Sequence, residues 1–231
     1  MASGEGRALS EKSNPGRVSR GRRGIPFVVS APSGTGKTTV CRRLVERDPQ
    51  LEHSVSHTTR AQRSGEQQGV HYHFVSAAEF RRLVGAGAFV EYAEYAGNLY
   101  GTSLAAIEAP LARGRDLLLE VDAQGALQLR ERRRDACLIF LLPPSFGELE
   151  RRLRSRGTDA PEVVERRLAL VRRELEALPA FDYAVVNEEV EGTVDALLEI
   201  VAAERAGDTA RVRAAHGRAG VVSRLSGVLP I

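Results

Sequence analysis

Two apolar periods alternate along this chain. Short, nearly continuous apolar runs at 25–30 (Ile-Pro-Phe-Val-Val-Ser), 117–122 (Leu-Leu-Leu-Glu-Val-Asp), 137–142 (Cys-Leu-Ile-Phe-Leu-Leu) and 183–186 (Tyr-Ala-Val-Val) read as buried strands. Between them, helical patterns run over about 36–47, 103–113, 124–134, 145–154, 161–178 and 190–205. Local punctuation supports the bounds. Asp48-Pro49 stops the first helix, Pro143-Pro144 breaks a strand, Ser145 with Glu148 caps the next helix, and Pro161 suits the first turn of a long one. The alternation predicts an α/β fold: a parallel sheet with helices on both faces and ligands at the carboxyl ends of its strands.

One stretch interrupts it. Residues 54–102 are polar, turn-rich and mostly β. Val70–Val75 alternates as a strand, Ser76 with Glu79 signals a helix over 77–85, and Phe89–Tyr95 and Asn98–Tyr100 read as antiparallel strands around Ala96-Gly97. The expected organisation is therefore a domain over 25–205, with a core of 25–53 and 103–205 and an insertion of 54–102. Residues 1–24, rich in Gly, Ser and Arg, read as a disordered basic arm, and 206–231 as a mobile or loosely packed C-terminal tail.

At 231 residues the chain suits one core with insertions. Its formal charge of +3 is uneven: +4 over 1–24 and +3 over 204–231 leave −4 for the rest. A general nucleic-acid footprint is not supported, and only weak tail contacts with polyanions stay open. No stretch approaches the roughly 18 apolar residues of a membrane span, and the N-terminus lacks an apolar signal region, so the expectation is a cytoplasmic protein without a membrane partner. Cys41 and Cys137 read as reduced core residues. A monomer and a homo-oligomer are both compatible with the sequence.

Chemistry concentrates where the first strand meets the first helix, at Ala31-Pro32-Ser33-Gly34-Thr35-Gly36-Lys37-Thr38-Thr39. This nearly completes the G-x-x-x-x-G-K-[ST] phosphate loop, with Ala31 at the first Gly position. Gly34 and Gly36 can turn successive N–H groups toward an anion, Lys37 supplies a compact ammonium, and Thr38 a hydroxyl for Mg²⁺. Lysine occurs only at Lys12 and Lys37 in an arginine-rich chain. Arg151, Arg152, Arg154, Arg156, Arg166 and Arg167 form a basic cluster whose helical spacing lets most face solvent or pair with Glu150, Glu162 or Glu165. His71 and His73 would share one strand face, a spacing that can bind metal, with no further Cys or His close in sequence.

Five ordered motifs together resemble the guanylate kinases across about 25–205. They are the phosphate loop; Ser56-His57-Thr58-Thr59-Arg60 with Arg63-Ser64-Gly65-Glu66 and Tyr72; Glu91 with Gly97-Asn98-Leu99-Tyr100-Gly101-Thr102; Glu120-Val121-Asp122-Ala123-Gln124-Gly125; and Arg156-Gly157-Thr158. The resemblance implies that 54–102 binds GMP, with Arg60, Arg63, Tyr72 and Tyr100 on its phosphate and Glu91 reading guanine beside Ser56, Thr102 and Asp122. It further implies a lid over about 145–175 that brings Arg156 and Arg167 onto the ATP phosphates, and Asn187 near the adenine. Taken alone, Arg60 and Arg63 read equally as a solvated turn, and Glu91 as a solvent-facing strand residue.

The implied reaction is ATP + GMP giving ADP + GDP, with dGMP as a further acceptor, in purine nucleotide metabolism and GTP supply. The acceptor phosphate is largely ionised near neutral pH, so no general base is required, and direct in-line transfer needs positioning and charge neutralisation by Lys37, Mg²⁺ and arginines. Two other readings compete. Guanylate-kinase-like domains also serve as phosphopeptide-binding scaffolds, but here Lys37, Thr38, Arg156 and Arg167 are all retained. A kinase of another small metabolite on the same fold is disfavoured by Glu91.

Overall fold

In the computed structural model, which describes residues 21–32, 34–95, 97–155 and 161–225, the apolar runs become strands of one parallel sheet. β1 (Pro26–Ser30) leads through the Gly-rich turn into α1 (Lys37–Arg47), followed by β2 (Leu51–His53). The interrupting stretch supplies β3 (His57–Thr58), β4 (His73–Phe74), α2 (Ala77–Gly85), β5 (Phe89–Tyr95) and β6 (Asn98–Ser103). The chain continues through α3 (Leu104–Ala112), β7 (Asp116–Glu120), α4 (Ala123–Arg132), β8 (Cys137–Leu142), α5 (Phe146–Ser155) and α6 (Pro161–Glu176). A 3₁₀ turn at Leu178–Ala180, β9 (Tyr183–Val186), α7 (Val190–Ala206), α8 (Ala210–His216) and α9 (Arg218–Leu225) complete it.

The main sheet runs β2-β7-β1-β8-β9 with every pair parallel. Strand periodicity divides its side chains between two cores. Phe27 and Val29 face Val40, Cys41 and Leu44 of α1 and Leu197 and Ile200 of α7, whereas Val28 faces the layer of Ile107, Leu111, Leu129 and Val171. All of these are fully buried, which is why the strands carry apolar residues at consecutive positions. Ala31 packs into the first of these layers at the end of β1, so the loop accommodates its Cβ. A second sheet, β4-β3-β6-β5, stands beside the carboxyl ends of the first, its β5 against α4.

Several elements differ from the sequence reading. Only His73–Phe74 of the run 70–75 pairs as strand; Val70 and His71 lie in a turn whose N–H groups bond the Gln67 carbonyl, after Gly69 takes φ 72°. His71 and His73 therefore do not share a strand face: His71 accepts from the Gln67 N–H, while His73 packs on the His57 ring at 4.7 Å. β7 ends at Glu120 and not at 122 because Asp122 caps α4, its Oδ1 accepting from Gly125 N–H at 2.7 Å. The expected arm is docked at its end: Gly24 N–H bonds Leu111 O at 2.9 Å and Arg22 reaches the buried Asp116 at 2.8 Å. Asp116 also accepts from Ile25 N–H and Arg205, tying the start of β1 to the end of α7.

The C-terminal segment read as a loose tail is likewise corrected, since 210–225 form α8 and α9 on the outer strand β9. Val212 and Val221 are buried, Tyr183 donates to Glu204, and Arg213 lies 5.3 Å over the Tyr183 ring. The helices cover a sheet edge that would otherwise expose unpaired backbone. Residues 1–20, Ser33, Ala96, Arg156 and 226–231 lie outside the described residues, as do the side chains of Arg152, Arg166 and Arg167. Arg154 pairs with Glu150 and Glu165 as its spacing predicts, and Arg151 with Glu148. Among the described residues, no helix is long and apolar enough to cross a membrane.

Truncation after residue 207 should cost on the order of 3 kcal/mol, from re-exposing two buried valines and the strand they cover, and lower Tm by roughly 6–12 °C. Thermal unfolding monitored by circular dichroism checks this; an unchanged Tm would show that the helices contribute nothing to the core.

Candidate functional site

The two sheets and the start of α1 enclose a cleft of about 500 Å³ at the carboxyl ends of β1 and β7. Its floor is the phosphate loop. Gly34 and Gly36 have φ 92° and 93°, left-handed values that a side chain would strain, and Gly36 caps α1 so that the helix N-terminus opens into the cleft. A Cβ on Gly36 would also stand 3.1 Å from Asn187 Nδ2. Asn187 is 4% exposed, donates to Thr35 O at 2.5 Å and accepts from Thr193 Oγ1 at 2.9 Å. Its amide thereby braces the loop through Thr35 O.

Lys37 Nζ donates to Val121 O at 2.6 Å, and Thr38 Oγ1 to Glu120 Oε1 at 2.5 Å. Burial pushes the Glu120 carboxyl up, but His53, the Lys37 charge and the Thr38 hydroxyl outweigh it, leaving its pKa below the usual range. A carboxylate and a hydroxyl side by side offer hard oxygen donors suited to Mg²⁺. Thr39 lines the same wall, as do Ala31 and Pro32, whereas Thr35 is buried beneath.

Across the cleft, Glu91 lies on β5 opposite Thr102 of β6. It is 5% exposed, so it is not the solvent-facing strand residue that its position alone implies. Burial raises its pKa to about 7, opposed by hydrogen bonding to Thr102, reinforced by the nearby Asp122 charge and opposed again by Lys37. Ser56 and Thr102 hydroxyls meet at 3.0 Å beside it. The pocket thus holds a carboxyl poised between its two states, among hydroxyls and a second acid.

The third group sits toward the rim. Arg60 makes a two-pronged pair with Glu66, at 2.7 and 3.1 Å, and lies 5.5 Å over the Tyr72 ring. Tyr72 and Tyr100 rings are 6.0 Å apart, and both line the cleft. The Arg60 hydrogen bonds lower the Glu66 pKa to about 2, with help from Arg63 N–H and charge. Arg63 is exposed on the same turn. The structure therefore brings together Lys37, Thr38, Ser56, Tyr72, Glu91, Tyr100 and Asp122 around one cleft, with Thr102 behind and the arginines at its edge. Ser33 and Arg156 are not described, nor is the Arg167 side chain on α6.

Sequence reading missed four contributors. Glu120 was visible as a carboxylate ending a buried strand but carried no role. His53, on β2, places Nε2 3.7 Å from Glu120 Oε2 and lines the cleft, as does Glu174 of α6. Gly125 touches the pocket only through what it lacks: a Cβ there would stand 2.8 Å from Glu91 Oε2.

A family model described as guanylate kinase matches residues 23–204. The chain is 49% identical to a guanylate kinase of Syntrophotalea carbinolica over 197 residues, covering 85% of this chain and 93% of that protein. It is 51% identical to one of Neisseria gonorrhoeae over 184 residues, covering 80% and 90%. The crystal structure of guanylate kinase from Anaplasma phagocytophilum is similar with a TM-score of 0.65 at 38% identity, covering 79% of this chain and 87% of that one.

Burial of Glu91 has a measurable signature. The folded protein keeps this proton up to about 7, while the unfolded chain releases it near the ordinary 4.5. Between those values the folded state binds more protons, so stability falls as pH rises and the loss is complete above the folded pKa. Relative to Glu91→Gln, the protein should lose on the order of 2–3 kcal/mol between roughly pH 5 and pH 8 in urea unfolding. A difference independent of pH would contradict the assignment.

Proposed function

The chain belongs to the guanylate kinase family, enzymes that phosphorylate GMP to GDP with ATP, and we propose that it does so by direct in-line transfer within this cleft, accepting dGMP as well. The observation that carries this reading is the facing of two unlike ends: the phosphate loop with Lys37 on one side, and buried Glu91 on the other.

In this reading the module of 54–102 is the acceptor-binding domain. Arg60, Arg63, Tyr72 and Tyr100 hold the GMP phosphate, with guanidinium forks matched to a dianion and phenols as neutral donors. Glu91 accepts from guanine N1–H and the exocyclic amine. Adenine presents an acceptor at N1 and no amine at that edge, so it meets the carboxylate with repulsion as well as a lost contact. Ser56, Thr102 and Asp122 complete the base pocket.

At the other end, Ala31 to Thr39 cradle the ATP phosphates. Thr38 and Glu120 would hold Mg²⁺, which when bound would neutralise phosphate charge. Lys37 is freed from Val121 O to follow the transferring group, and Arg156 and Arg167 of the lid over about 145–175 add charge there. No side chain need remove a proton, since the acceptor oxygen is largely ionised near neutral pH. Asn187, which holds the loop through Thr35 O, lies near the adenine. The reaction belongs to purine nucleotide metabolism and GTP supply, in the cytoplasm.

ADP release from Mg-ATP with GMP, dGMP, AMP, UMP and CMP offered separately tests the specificity. GMP should lead, dGMP should be used, and AMP, UMP and CMP should fall at least about 100-fold lower in kcat/KM. Equal use of AMP would sink the guanine reading. Lys37→Arg should remove most turnover while GMP affinity without ATP changes little; a parallel loss of GMP binding would overturn the division between the two ends.

A further inference from the structure

The strand that carries Glu91 has an irregular register. β5 pairs with β6 at Phe89 and resumes at Glu91, with the irregularity between them, one residue from the carboxylate. A bulge aims a side chain but loosens the ladder that would hold it. On its other side β5 is a sheet edge, and what meets it there is helix α4.

Three α4 residues, Gly125, Gln128 and Arg132, are spaced three and four apart and so share one helix face. Arg132 Nη1 donates to the Phe89 carbonyl at 2.5 Å, on one side of the bulge. Gln128 bonds the Tyr92 backbone twice, its Oε1 accepting from Tyr92 N–H at 3.1 Å and its Nε2 donating to Tyr92 O at 3.0 Å. One side-chain amide thus imitates a neighbouring strand. Between these anchors, Glu91 Oε2 fills the space over Gly125, where a Cβ would stand at 2.8 Å, well inside contact distance. Its other near neighbours would be Asp122 Oδ1 and Val121 Cβ, each at 3.3 Å.

We propose that Gly125 and Gln128 are positioning residues for guanine selection: the bare helix surface at Gly125 sets where the Glu91 carboxylate rests, and Gln128 fixes the strand that carries it. This rests on the reading that Glu91 recognises the base. The closest atom to an added Cβ is the end of a flexible side chain, so the fold can absorb Gly125→Ala. The carboxylate, already enclosed, can yield only by leaving the position from which it meets two guanine donors. Gly125 therefore acts on selectivity through an atom it never bonds.

A double-mutant cycle tests this, with steady-state kinetics for GMP and ATP and Tm on each protein. Gly125→Ala should lower kcat/KM for GMP about 30-fold, mostly through KM, with KM for ATP within about twofold and Tm little changed. Added to Glu91→Ala, the same change should cost less than about threefold, because its target is gone. Gln128→Leu, which keeps bulk and removes both backbone bonds, should raise KM for GMP about three- to tenfold in the first background and not in the second. Equal losses in both backgrounds, an unaltered KM for GMP in Gly125→Ala, or loss of its folded state would each overturn the proposal. If Glu91→Ala alone keeps full GMP efficiency, the base reading itself fails, and that single variant separates the two failures.

Discussion

A carboxylate taken out of water between two sheets is the constraint on which the cleft depends. Glu91 is enclosed, and its neighbours are hydroxyls and Asp122 in place of a guanidinium. Desolvating this anion costs several kcal/mol, more than the Thr102 hydrogen bonds and the Lys37 charge return, which is why the carboxyl holds its proton near neutrality. A ligand that brings two N–H donors repays that cost, and one that brings an acceptor adds to it. In the proposed function, selectivity is thus stored in the free protein as an unfavourable arrangement that the right base relieves.

The opposite end is arranged with the reverse sign. The α1 N-terminus, Lys37 and the left-handed glycines favour anions. Three consecutive residues at the end of β7 serve both ends: Glu120, its last residue, accepts from Thr38, Val121 O accepts from Lys37, and Asp122 caps α4 beside Glu91. A shift at this turn would therefore disturb both ends of the cleft together, since α4 starts at the turn and packs on β5. Behind the loop, Asn187 extends the same logic to α7 through Thr193.

How much of this was legible follows from the range of each signal. The main strands and most helices were readable because continuous apolar runs, caps and prolines are local. The run 70–75 misled because its alternation is real but Gly69 commits Val70 and His71 to a turn. The C-terminal helices were hidden because short elements with few apolar residues gain their stability from the β9 edge they cover. Glu91, read alone, looked exposed, since nothing in its strand announces α4 packing over it. Gly125 was harder still, for its contribution is an absent atom, and only the folded distance to Glu91 reveals it. The bond from Asn187 to Thr35 was not legible either, because it joins residues far apart in the chain.

The central claim is that the charge state of Glu91 governs acceptor binding. The direct measurement is the Kd for GMP, without ATP, of Glu91→Gln relative to the unsubstituted protein, from roughly pH 5.5 to pH 9. Taking the ratio cancels ionisation of the GMP phosphate, which both proteins share. The account predicts a ratio that rises with pH up to about 7, approaching tenfold per unit, and then levels at about 100 or more once Glu91 is ionised. A ratio near one across the range would contradict it.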